Sequence, residues 1–159
     1  MKFNSALRNF VLVLISTLFI SACSTAKKAK VDTVDDVYTG TDTVEFLAKG
    51  VPDRIFFATN KSKLTTASRD TLRKQATWMR KNKNMTVTIE GHADERGTRE
   101  YNLALGERRA NAAKDYLMTY GVSGKRISVI SYGKERPVNP ASSPLAWSQN
   151  RRSVTVKAN

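Results

Sequence analysis

Ile89-Glu-Gly-His-Ala-Asp94-Glu-Arg-Gly97, then Tyr101-Asn-Leu103 and Gly106-Glu-Arg-Arg109, form the stretch from which the rest of the chain can be read. Ahead of it, Met85-Thr-Val-Thr-Ile89 alternates apolar and hydroxyl side chains and predicts a strand with one buried face. Behind it, Leu103, Gly106, Ala110, Ala113, Leu117 and Tyr120 recur at helical spacing and predict a long helix burying one stripe. The polar, glycine-bearing turn between them carries Asp94. Rigid elements hold such junctions in place, and helix-start amides point outward from them, so ligands tend to bind there.

Helical-wheel arithmetic places Arg109 about 70° from the centre of the buried stripe, with Arg108 nearly opposite that centre. Arg108 is expected to face water. Arg109 is expected on the shoulder of the helix, able to reach back toward Asp94. A carboxylate and a guanidinium facing one cleft suit a zwitterion, the first taking an ammonium and the second a carboxylate. An ordinary ion pair between loop and helix fits the same spacing.

Thr88-Ile-Glu-Gly-His-Ala-Asp-Glu-Arg-Gly-Thr98, Tyr101-Asn102 and Leu105-Gly-Glu-Arg-Arg-Ala110 resemble the peptidoglycan-associated lipoproteins of the OmpA C-terminal-like family over roughly residues 51–157. The resemblance implies non-covalent binding of the peptidoglycan stem peptide through its diaminopimelate residue. It puts the ligand's ammonium on Asp94 and its carboxylate on Arg109. Thr98, Asn102 and Glu95 join these as candidate ligand-binding residues, with backbone amides near Gly97–Arg99 at the helix start and Asn102 orienting the loop. Members of the family usually carry an acid directly after the phenylalanine of the first strand; here Ala58 stands there, leaving Thr59 and Asn60 as the nearby polar candidates. The resemblance also implies partnership with TolB and other Tol proteins, through a surface overlapping the wall site. Docking of TolB as the main role, with wall binding secondary, is the alternative function.

The formal net charge is +13 over 159 residues, and residues 51–159 hold 21 basic and 9 acidic side chains. Such a field favours polyanions: nucleic acid, anionic lipid or a carboxylate-rich polymer. The compartment decides among them. Lys2 and Arg8 precede an apolar run, Phe10–Ile20, broken only by Ser16 and Thr17 and shorter than the roughly 20 residues a membrane-spanning helix needs. It ends in Ile20-Ser-Ala-Cys23, which resembles the bacterial lipobox, where the cysteine is lipidated and becomes the new N-terminus; an ordinary cleavage site at Ser24-Thr-Ala26 and an uncleaved anchor are the alternatives. Ser24 after it, rather than Asp, points by family analogy to the outer membrane, with the domain facing the periplasm. Three acyl chains would anchor the chain durably, since two signals already suffice. Export removes nucleic acid as a ligand, and no recognition motif for it is present.

Residues 1–22 therefore read as a lipoprotein signal peptide, 23–50 as lipidated Cys and flexible tether, and 51–159 as a peptidoglycan-binding domain. The tether mixes Lys, Thr, Asp and Ala without sustained period, apart from a possible ordered piece at Val44, Phe46 and Leu47. It would reach roughly 85 Å fully extended, or about 30 Å as a flexible coil.

Within the domain, Arg54–Phe57 reads as the first strand. Thr65 or Thr66 caps a helix that buries Leu72, Ala76 and Met79. Arg69, Arg73, Lys74, Arg80 and Lys81 fall mostly on its solvated faces. Arg126–Tyr132 reads as a third strand, and Gly133–Ala146 as a loop pinned by Leu145 and Trp147, with Trp147 alternatively a sugar or partner contact. Val154–Val156 closes the chain as a last strand. The fold class is α/β, an α+β sandwich with β-α-β-α-β-(α)-β order and two main helices on a small four-stranded mixed sheet. Strand order is left open.

Enzymatic chemistry finds little to work with. His92 is the only histidine, Cys23 the only cysteine, and a zinc site needs three or four ligands. No serine or cysteine nucleophile is paired with a base. His92 is expected to fix the turn by hydrogen bonding, and no cofactor is implied beyond the covalent lipid at Cys23.

Overall fold

The structure, a computed structural model, describes residues 31–32 and 36–158. Residues 1–22, read as a signal peptide, and Cys23, read as the lipidation site, lie outside the described residues. Four strands, β5 (Arg54–Phe56), β6 (Thr86–His92), β7 (Ile127–Gly133) and β8 (Arg152–Ala158), form a mixed sheet in the order β5-β8-β6-β7. Strand β6 is central, parallel to β7 and antiparallel to β8, which itself runs antiparallel to β5. Helices α1 (Thr66–Lys81) and α2 (Arg99–Thr119) follow β5 and β6, and a short α3 (Pro144–Asn150) precedes β8. This is the α/β order the sequence predicts.

Local chemistry explains the elements. Thr65 caps α1 by accepting from the Ser68 amide at 3.1 Å, and Thr98 caps α2 by accepting from the Tyr101 amide at 3.2 Å. Leu72, Ala76 and Met79 of α1 meet Ala110, Ala113 and Leu117 of α2 over Val87, Ile89 and Phe57 in one buried cluster. Alternation along β6 sends Val87 and Ile89 into that cluster.

A glycine pair sets the distance between helix and sheet. A Cβ on Gly91 would lie 1.9 Å from the Gly106 carbonyl oxygen, so only glycine lets α2 settle this closely on β6. That approach brings Arg109, one turn past Gly106, to the end of β6.

Three sequence expectations need correction. Leu145 is exposed, and the residue of α3 that pins the segment is Ala146, fully buried, beside buried Ser148, Gln149 and Asn150. The short helix expected before the last strand is present, but it starts earlier than the loop bound Gly133–Ala146 allowed, capped by Ser143 and started by Pro144. Leu103 is only half-buried and Tyr120 exposed, so the apolar stripe of α2 is shorter than its sequence period.

Residues 36–50, read as tether, pack on the domain. Val37–Tyr38 (β2) pairs with Val31–Asp32 (β1), and Tyr38 meets Phe56 edge to face at 4.8 Å. Phe46–Ala48 (β3) pairs with Val51–Pro52 (β4), burying Leu47. Sparse apolar residues in a polar segment give no period, yet Val37, Tyr38 and Leu47 are buried here while Phe46 stays exposed.

Candidate functional site

At the carboxyl end of β6 the chain leaves the sheet as Ala93-Asp94-Glu95-Arg96-Gly97-Thr98 and enters α2. Gly97 takes φ +90°, a conformation that glycine adopts without steric cost, and this directs the turn into the helix. Asn102 is buried, and its side-chain amide donates to the Arg96 carbonyl at 2.9 Å, tying the turn to the first turn of α2.

Asp94 is buried and receives four donors. The Arg96 amide and Nε reach Oδ1 at 3.1 and 3.0 Å; Arg96 Nη2 and Arg151 Nη1 reach Oδ2 at 2.7 and 3.3 Å. These occupy the roughly four lone-pair sites a carboxylate offers. Burial pushes the Asp94 carboxyl up, but the Arg96 hydrogen bonds and charge, with Arg151 behind them, outweigh it and hold the group below its ordinary range.

Arg109 is not on the shoulder of its helix but fully buried. Its Nε donates to the Lys61 carbonyl at 2.9 Å, Nη1 to that of His92 at 2.8 Å and Nη2 to that of Ala58 at 3.1 Å. The guanidinium also lies over the Phe57 ring at 5.2 Å. One side chain therefore clasps the end of β6 to the β5–α1 connection. Burial, then the nearby Arg151 charge, lower its pKa to about 10, with Asp94 acting in the opposite sense. It stays protonated at neutral pH. Arg108 is exposed, as the wheel predicts.

The other candidates fall in different places. Thr59 donates to the Asp36 carboxylate and accepts from Arg96 Nη2 at 3.3 Å. Asn60, exposed at φ +55°, turns the chain away from β5. With Arg96, Gly97 and Tyr101, these two line a cleft of about 210 Å³ beside Asp94. Glu95 faces away from that cleft: it accepts from Trp147 Nε1 at 2.7 Å and Ser142 Oγ at 3.0 Å, fastening α3 to the turn. Those bonds hold its carboxyl below the ordinary range. Thr98 serves as the cap of α2.

Sequence reasoning missed two arginines. Arg96 stood inside the motif, but nothing in its spacing showed that it would fold back on Asp94 while resting over Trp147 at 4.4 Å. Arg151 is buried, donates to the Phe57 carbonyl at 3.0 Å and pairs with Asp36 at 2.8 Å. Its only signal was an arginine pair directly before a predicted strand, where an apolar residue would be usual.

His92 also differs from expectation. Its ring is buried, and neither nitrogen has a hydrogen-bond partner among the described residues; Glu90 Oε2 lies 3.6 Å from Nε2. The backbone carbonyl, not the ring, fixes the turn, by accepting Arg109. Burial and the charges of Arg152, Arg136 and Arg54 lower the ring's pKa to about 3. Between that value and about 6.5 the unfolded chain binds a proton that the folded one refuses, so stability falls as pH drops through this window. The expected slope from this group is about 1 kcal/mol per pH unit. Urea titrations at pH 6.5 and pH 4.5 should show it, and His92→Phe should flatten the difference; an unchanged difference would contradict the assignment.

Residues 56–151, which include Asp94, Arg109 and Arg151, match the OmpA family. The peptidoglycan-associated lipoprotein of Rhizobium meliloti strain 1021 is 47% identical over 154 residues, covering 94% of this chain and 88% of that one. Its namesake in Agrobacterium fabrum strain C58 is 54% identical over 106 residues, 67% of this chain and 60% of that one. The crystal structure of the peptidoglycan-associated lipoprotein from Burkholderia pseudomallei aligns with TM-score 0.65 and 33% identity over 67% of this chain and 90% of that one. The C-terminal domain of Helicobacter pylori MotB, at TM-score 0.63 and 21% identity over 67% of this chain and 84% of that one, shares the fold alone. The chain belongs to the OmpA family, with the peptidoglycan-associated lipoproteins as its relatives.

Proposed function

We propose that this chain binds peptidoglycan non-covalently, holding the diaminopimelate head of the stem peptide between Asp94 and Arg109. In this reading it is anchored by lipid at Cys23 to the outer membrane, faces the periplasm, and links membrane to wall within the Tol-Pal system without catalysis. The observation that carries it is a buried carboxylate whose partner Arg96 lines an open cleft, with a buried guanidinium fixed at the end of the same strand. Among the described residues no helix is long and apolar enough to cross a membrane.

Binding is then an exchange. Four donors already surround Asp94, so a ligand ammonium replaces the Arg96 fork, whose side chain is 42% exposed and free to swing outward. Two of the five Arg109 N–H groups remain beyond its three carbonyl partners; the side chain is fully buried, so these serve the ligand carboxylate only once displacement of Arg96 opens the end of β6. An exchange gains less than a fresh pairing, so one site is weak to moderate. The wall repeats its ligand and anchored copies act together, so attachment persists while single contacts turn over.

The test is titration with a diaminopimelate-containing muropeptide and its lysine analogue, which lacks the second carboxylate. Loss of the pairing at Arg109 should weaken the lysine analogue by about tenfold or more; equal affinities would contradict the assignment. A second reading, docking of TolB on an overlapping surface, is favoured by Tyr101, an exposed aromatic on the cleft wall of the kind that anchors protein interfaces. Muropeptide should then compete with purified TolB; simultaneous binding would separate the two surfaces.

A further inference from the structure

Asp36 lies 58 positions before Asp94 in the chain, in the segment leading from the anchor, yet it reaches the same cluster. Its carboxylate pairs with Arg151 Nη2 at 2.8 Å and accepts from the Thr59 hydroxyl, while its carbonyl accepts from Arg151. Its φ of +54° is left-handed, a conformation Asp and Asn tolerate better than most residues. Arg151 thus bridges two carboxylates, Asp94 and Asp36. Arg96 Nη2 already touches Thr59 Oγ1, the hydroxyl bound to Asp36, so it stands one hydroxyl away from that second carboxylate.

We propose that Asp36 is a positioning residue of the ligand pocket, receiving Arg96 when a ligand ammonium takes Asp94, so that ligand affinity depends on docking of the tether. The proposal rests on the wall-binding reading above. Moving Arg96 off Asp94 without a substitute would leave a guanidinium that has lost its bidentate partner, and Asp36 supplies that substitute. It also balances Arg151, which would otherwise draw more heavily on Asp94 and compete with the ammonium. The segment is held by modest contacts: Val37 and Tyr38 on Phe56, with Val44 and Ala58 alongside. Ala58 permits this seat. It lines the same groove as Asp36 and Val37, where a carboxylate on residue 58 would stand beside Asp36 and repel it. A pull on the anchor that lifted residues 36–38 would take Asp36 with it and loosen the wall contact.

The test uses the mature chain, titrated with a diaminopimelate-containing muropeptide. Asp36→Asn keeps the backbone conformation and removes the charge. It should weaken binding about tenfold, the worth of one charged pairing, with little change in melting temperature. Adding Ala58→Asp to that variant should recover most of the loss, because it returns a carboxylate to the groove that residue 58 shares with Asp36 and Thr59, the hydroxyl Arg96 touches. Asp36→Asn binding as tightly as wild type would overturn the proposal. So would failure of Ala58→Asp to recover affinity, which would assign the effect to segment packing. If the unmodified chain shows no binding, or Asp94→Ala binds as well as it does, the wall-binding reading itself fails and this inference with it.

Discussion

Asp94→Ala abolishes co-sedimentation with purified sacculi while the domain stays folded. Asp94 is the buried carboxylate of the turn, its neighbour Glu95 being held by Trp147 and Ser142, and its removal leaves three arginines, at 96, 109 and 151, facing a cation. A charged hydrogen bond contributes about 1.5–3 kcal/mol, so muropeptide affinity should fall by about 10- to 100-fold. Folding survives because the arginines that lose Asp94 have alternatives. Arg96 is partly solvated, and Arg151 keeps the Phe57 carbonyl and Asp36. A melting temperature within a few degrees of wild type, together with lost pelleting, is the expected pair of results. Retained pelleting would remove Asp94 from the site.

Arg109→Ala has the opposite balance, with its largest effect on stability. The side chain is fully buried and donates to three backbone carbonyls on two separate segments, Ala58 and Lys61 after β5 and His92 at the end of β6. Truncation leaves those acceptors without their donor and opens a cavity over Phe57, together costing about 3–5 kcal/mol. For a domain of this size, each kcal/mol lowers the melting temperature by several degrees. Loss of wall binding in this variant would therefore report unfolding as much as recognition. Arg109→Lys separates the two: it keeps a buried cation but lacks the planar fork, so it should retain more stability than Ala and still bind muropeptide weakly. An Arg109→Ala domain as stable as wild type would contradict the clasp.

Physical cause separates what the sequence made legible from what it did not. The strand–turn–helix around Asp94 was readable because period is local: β6 alternates, and a polar, glycine-bearing turn separates it from the apolar stripe of α2, whereas Thr98, read as a ligand contact, is the cap. The approach of Arg109 to the end of β6 was readable from the wheel, but its burial was not. A polar side chain is assigned to the edge of an apolar stripe by default, and only the β5–α1 connection folding over it closes that edge. Arg151 and Asp36 were invisible for a related reason. Their partners lie 57 and 115 positions away in sequence, and charged pairs made by tertiary contact leave no periodic trace. Helix α3 was expected as a short helix or turn before the last strand, but its start was misplaced, because Pro144 begins the helix rather than ending the loop.

A crystal structure of the chain with a diaminopimelate-containing muropeptide measures the central pairing directly. The ligand's ammonium should lie within about 3 Å of an Asp94 carboxylate oxygen, with its carboxylate on Arg109 and the Arg96 fork displaced toward Thr59 and Asp36. A ligand bound elsewhere, or Asp94 still wholly enclosed by Arg96 and Arg151 with ligand present, would contradict it.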